Sequence, residues 1–151
     1  RDYNSQQLMN LASQLPASKL DPNLPDINGN LVRLSSIKGK YVLVTFWTTE
    51  SNDCIAENLQ FKQLYSKYAS RGLEIYQVSL DRDENAWKGA VKFDDLPWIS
   101  THENPEKPEN AILFNVKSVP VNYLFSPKGE IVALNLHGRA LQLKLEQLFP
   151  N

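Results

Sequence analysis

The run Tyr41-Val42-Leu43-Val44-Thr45-Phe46-Trp47 decides the fold, together with Ser51-Asn52-Asp53-Cys54, which follows it after Thr48-Thr49-Glu50. Seven almost continuously apolar and β-favouring residues read as a strand buried on both faces, because a half-exposed strand would alternate with polar residues. After the polar break, Ile55, Leu59, Phe61, Leu64, Tyr65 and Tyr68 keep an approximate helical spacing and predict a long helix. Its end is marked by Arg71-Gly72, a basic last turn before a glycine C-cap. Leu73 to Leu80 then alternates as a second strand. A strand-helix-strand unit of this length requires a right-handed crossover and a parallel pair.

On the N-terminal side, Leu31 to Leu34 predicts a short strand before a turn at Gly39, and Leu8, Leu11, Ala12 and Leu15 ahead of Pro16 predict an amphipathic helix over residues 4–15. On the C-terminal side, helical patches at Glu84 to Phe93 and Pro108 to Phe114 are separated by a loop over Ser100 to Pro108. Val121 to Phe125 and Glu130 to Leu136 are β-rich runs joined by the turn Ser126-Pro127-Lys128-Gly129, so two antiparallel strands come late. Leu141, Leu145, Leu148 and Phe149 predict a closing amphipathic helix. The order describes an α/β domain whose mixed sheet is parallel first and antiparallel last. Residues 1–19 form a helical extension, and 20–151 form the domain.

A chain of 151 residues that is 42% hydrophobic fits one compact core. Sixteen basic and 17 acidic residues are interspersed, for a net charge of -1, which argues against nucleic acid as a partner. No apolar run approaches the roughly 18 residues that would span a bilayer, so no membrane insertion is expected of this chain. Arg1 to Asn10 lacks the pattern of a signal peptide, and the abrupt start is compatible with an export signal, anchor or upstream domain having been removed. Cys54 is the only cysteine, which excludes an internal disulfide, a Cys-rich metal site and an internal dithiol couple. Neither His102 nor His137 has a ligand partner at metal-binding spacing, and both read as solvated side chains, so no metal and no cofactor is expected.

Several ordered motifs carry a resemblance. Lys38-Gly39-Lys40 leading into the strand 41–47 resembles the opening of thioredoxin-like thiol-disulfide oxidoreductases of the TlpA/ResA (redoxin) type. In that family the strand delivers a Trp-Cys-x-x-Cys motif to a helix start. Pro25-Asp26-Ile27-Asn28-Gly29 with Leu34-Ser35 resembles the preceding hairpin, and Glu57 stands three residues after Cys54 as in the family's Cys-x-x-Glu. Leu96-Pro97-Trp98 is similar to the strand after the central insertion, and Val119-Pro120 with Asn122 to Phe125 to the cis-proline loop and its strand. The resemblance covers residues 20–149. It implies a thioredoxin fold, three-layer α/β/α with a mixed central sheet, an N-terminal extension and a central insertion. It also implies a bacterial periplasm or cell-envelope location. The partner it implies is an extended polypeptide or partner protein at the cis-proline face, bound through Glu50, Val119 and Pro120.

The departures lie at the chemistry. Where the family has Trp-Cys-x-Pro-Cys, this chain has Glu50-Ser51-Asn52-Asp53-Cys54, so the aromatic, the attacking thiol and the proline are all replaced. Thr45 occupies the strand position where thioredoxin carries a buried carboxylate. A cysteine at a helix N-terminus is favoured as thiolate, whereas a serine there needs a neighbouring base. Ser51 is therefore expected to act as an N-cap, with Asp53 adding favourable charge in the first turn. Cys54 is expected to be a core cysteine, its thiol pKa raised by Glu50 and Asp53. The resulting expectation is a redox-degenerate thioredoxin-like module. Two alternatives stand beside it. One is a one-cysteine thiol oxidoreductase or peroxidase using Cys54. The other is an active oxidoreductase in which Ser51 was engineered, against which the parallel changes at Glu50 and Asp53 argue.

Overall fold

A computed structural model describes residues 20–151. The helix expected over 4–15 lies outside the described residues.

The elements follow the hydrophobic pattern. Strand β1 (Asn23–Pro25) and β2 (Leu31–Arg33) form an antiparallel hairpin. Strand β3 (Tyr41–Trp47) leads to helix α1 (Asn52–Tyr68), then β4 (Leu73–Ser79) and α2 (Glu84–Phe93). Strand β5 (Ile99–His102), the short helix α3 (Glu109–Leu113), the hairpin β6 (Val121–Phe125) and β7 (Ile131–Leu134), and helix α4 (Gly138–Leu148) complete the chain. The five-stranded sheet has the order β5-β4-β3-β6-β7. Strands β3, β4 and β5 run parallel, while β6 and β7 run antiparallel to their neighbours, so the sheet is mixed as expected.

Alternation along β3 sends its side chains to two cores. Leu43 and Trp47 join Phe61, Leu64 and Tyr68 of α1, Trp87 of α2 and Leu141 of α4 on one face. Val42, Val44 and Phe46 join Tyr123 of β6 and Phe114, which follows α3, on the other. The sheet is thus the middle of three layers. Strand β3 contributes to each core, which is why its sequence is almost continuously apolar. Gly72, with φ +116, supplies the left-handed turn from the end of α1 into β4.

Three expectations are corrected. Ser100 to His102 is strand and not loop, because these residues pair in parallel register with Gln77 to Ser79 of β4. That pairing, with Thr101 Oγ1 donating to the Gln77 carbonyl at 3.0 Å, overrides a polar composition that reads as loop. The strand expected at Leu96-Pro97-Trp98 begins three residues later, at Ile99, and the Trp98 indole instead donates to Gln77 Oε1 at 2.8 Å. Leu59, part of the approximate helical spacing of α1, does not face the core: it is 66% exposed, and Asn58 at the adjacent position is buried instead.

Candidate functional site

Everything around the site meets at the end of the sheet where β3 stops. Phe46 pairs with Val121 across the antiparallel β3-β6 ladder, so the Val119-Pro120 loop entering β6 lies at the same end as Trp47. The Val119-Pro120 peptide bond is cis. At this end the chain leaves β3, crosses Thr48-Thr49-Glu50 and starts α1.

Ser51 is the N-cap of α1. Its backbone is extended (φ -95°, ψ 117°), and its Oγ accepts a hydrogen bond from the Cys54 backbone N–H at 3.2 Å. That satisfies one of the amides left open at a helix start, and Asp53 in the first turn faces the positive end of the dipole. Glu50, Asn52 and Asp53 are exposed around the cap.

Cys54 points the other way, into the core, and is 1% exposed. Burial pushes its thiol above the ordinary value of 9.0, opposed by hydrogen bonds with the Ser51 side chain and the Thr48 backbone. The charges of Glu57 and Asp53 add to the rise. The expected pair of acids was Glu50 and Asp53. Glu57 takes the place of Glu50, because it lies one helical turn from Cys54 whereas Glu50 sits on the exposed loop.

His102 is buried, which corrects its expectation, while His137 keeps a side chain that is 36% exposed but is held by side-chain contacts. His137 closes Nδ1 onto Glu57 Oε2 and sets Nε2 against Asn135 Oδ1 at 2.6 Å. The Glu57 side chain is 8% exposed and that of His137 36%, and Gln60 reinforces the contact by donating to the Gly138 carbonyl at 2.7 Å. Together these contacts fasten α1 to the start of α4. Both ring nitrogens of His137 are engaged, and neither engages Ser51, so among the described residues no histidine serves the serine as the base nucleophilic attack requires. His102 is buried, donates from Nε2 to the Asp81 carbonyl at 2.7 Å and stacks on Trp87 with ring centroids 5.2 Å apart.

Asp81 was not singled out by the sequence. It is 3% exposed, two residues beyond β4, and its Oδ1 accepts from both the Thr49 backbone N–H at 2.9 Å and Thr49 Oγ1 at 2.8 Å. Thr45 is buried opposite Gln77 and Asn122 in the neighbouring strands, and its hydroxyl has no hydrogen-bond partner. Gln77 and Asn122 are themselves satisfied, by Asn58 and Trp98 in the first case and by the Leu136 backbone in the second. Among the described residues no group of three or more His, Cys, Asp or Glu side chains could hold a metal ion, and no helix is long and apolar enough to cross a membrane.

Comparison with known proteins agrees with this geometry. The AhpC/TSA family profile matches residues 13–134. The thiol-disulfide oxidoreductase ResA of Oceanobacillus iheyensis is 32% identical over 106 residues, covering 70% of this chain and 54% of that protein. The chain thus spans about half the length of that relative. ResA of Bacillus cereus is 30% identical over 121 residues, covering 79% of this chain and 69% of that protein. Among solved structures, the thioredoxin domain of a thiol-disulfide oxidoreductase from Bacteroides vulgatus superposes with a TM-score of 0.80 at 32% identity, covering 85% of this chain and 93% of that one. A thiol-disulfide oxidoreductase from Bacteroides fragilis gives 0.78 at 30% identity, covering 85% and 96%. With its mixed sheet, its motif helix capped at the end of β3 and a family match over most of its length, the chain belongs to the AhpC/TSA family, as a thioredoxin-fold member of the thiol-disulfide oxidoreductase kind.

Proposed function

We propose that this chain is a redox-degenerate member of its family that binds an extended polypeptide or partner protein and does not turn over disulfides. One observation carries the reading: Ser51, three residues before the only cysteine, is engaged as a helix cap, while that thiol, Cys54, is 1% exposed. A dithiol cycle needs two sulfurs that can bridge and reopen, and a serine oxygen forms no such bridge.

Binding does not depend on sulfur. The Val119-Pro120 loop and the exposed Glu50 flank the motif end of the sheet, and a loop that runs straight into a strand offers backbone groups to which an extended chain can add. A place in a bacterial envelope, as a module of a larger protein, belongs to the same reading. It is supported by the likeness to ResA and by the Bacteroides vulgatus neighbour, itself a domain of an oxidoreductase. The one-cysteine peroxidase alternative needs an accessible, ionisable thiol, and burial with a raised thiol pKa weighs against it.

Titrating isotope-labelled protein with a reduced, alkylated, unfolded polypeptide tests the reading. Amide shifts should change at Glu50 and Val119 and leave the far end of the sheet unmoved. Shifts confined to other surfaces, or none, would contradict it, and peroxide consumption dependent on Cys54 would restore the alternative.

A further inference from the structure

The segment Thr48 to Ser51 runs from the end of β3 to the cap of α1, just ahead of the buried Cys54, and carries Glu50. Its inner side touches the cysteine, since Ser51 Oγ accepts from the Cys54 backbone N–H at 3.2 Å. Among the described residues, the loop's remaining hydrogen bonds stay within the loop or its own helix, as with Ser51 N–H to the Thr48 carbonyl at 3.4 Å and Ile55 N–H to the Ser51 carbonyl at 3.1 Å. The exception is Thr49, whose backbone N–H and hydroxyl both donate to Asp81 Oδ1.

Asp81 is unusually well held for that task. Its Oδ2 accepts from Ser79 Oγ, its own N–H donates to Ser79 Oγ at 3.0 Å, and its carbonyl accepts from His102 Nε2. His102 is in turn fixed by β5, in register with Ser79, and by stacking on Trp87. A buried carboxylate fastened on this many sides is a rigid anchor, and losing it would leave the two Thr49 donors without their partner.

We propose that Asp81 is a positioning residue: through Thr49 it pins the loop Thr48 to Ser51 onto the end of β4, and this pinning seals Cys54 from solvent. The inference deepens the proposed binding reading, because the same loop presents Glu50, but its test uses no ligand and so fails or succeeds independently of it.

The test is alkylation of Cys54 by iodoacetamide in the native protein across a urea series, with global stability measured in parallel. In the parent chain labelling should be slow and should accelerate with urea as steeply as global unfolding does. In Asp81→Ala, labelling without urea should be faster by on the order of tenfold or more and insensitive to low urea, the signature of local opening. Thr49→Val, which keeps the N–H bond and loses the hydroxyl bond, should fall between, and Thr49→Ser should restore the parent rate. Asp83→Ala, which removes the exposed cap of α2, should lower stability without creating a urea-insensitive phase. If Asp81→Ala does not fold, Thr49→Val against Thr49→Ser decides. Rapid labelling of the parent chain, or variants whose labelling merely tracks their global stability, would overturn the proposal.

Discussion

Two helices start side by side at the same end of the sheet, each after a parallel strand, and they start in the same way. Helix α1 leaves β3 under the cap of Ser51, with Asp53 in its first turn, and α2 leaves β4 under the cap of Asp83, which accepts from the Asn85 N–H at 2.9 Å, with Glu84 in its first turn. Family resemblance expects a reaction at the first and nothing but a cap at the second. The two starts obey one rule of capping and dipole charge. They differ in what lies behind them. Behind Ser51 are a buried thiol, a loop tied to Asp81 and the Glu57-His137 contact, whereas Asp83 is exposed. On the redox-degenerate reading proposed above, the first start is a structural junction and not a reaction site.

If α1 is the anchoring helix of the pair, the largest loss should come from its core face. Phe61 is fully buried and meets Trp98 edge-on with centroids 6.0 Å apart. Phe61→Ala should cost about 3 to 5 kcal/mol in urea denaturation. A loss below about 1.5 kcal/mol, the range of tolerated swaps, would mean α1 does not hold the domain together.

The caps make the comparison sharper. Ser51→Ala and Asp83→Ala should each cost about 0.5 to 2 kcal/mol, and by similar amounts, because each removes one acceptor from one helix start. A Ser51 loss several times the Asp83 loss would show that the serine does more than cap.

The smallest effect is a slope in pH. The Cys54 thiol is held above 9.0 in the folded chain, mainly by burial, so the folded state favours the neutral form. That contribution is complete below pH 9.0, where the unfolded thiol is still protonated, and is lost as pH rises from there toward the folded value. One thiol can supply a slope of at most about 1.4 kcal/mol per pH unit. Cys54→Ala should abolish this fall just above pH 9.0 while leaving the later one from Tyr76, which burial pushes from 10.0 to about 12. Identical alkaline profiles for parent and Cys54→Ala would mean that the thiol is not sealed.

The frame was legible in the sequence because it rests on local pattern. The continuous run in β3, the stripe of α1 and the Ser126 to Gly129 turn each carry their meaning within a few residues. The cap at Ser51 was legible for the same reason. What escaped is held by distant partners: Ser100 to His102 looks like loop until β4 lies beside it, His137 meets Glu57 from 80 residues away, and Asp81 meets Thr49 across 32. Polar residues buried by pairing leave no periodicity, so a sequence reading assigns them to solvent. His102 was misread on that account, and Asp81 passed unnoticed as one acid among several before α2.

Insulin reduction by a low-molecular-weight reductant tests the central claim most directly, comparing the chain with its Cys54→Ala and Ser51→Cys variants. The parent should catalyse no more than Cys54→Ala, and Ser51→Cys should form a disulfide with Cys54 and gain activity, because one helical turn already brings the two positions within bridging reach. Catalysis by the parent above the Cys54→Ala level would contradict the account, and a Ser51→Cys variant that never bridges would show that this helix start no longer has the geometry described.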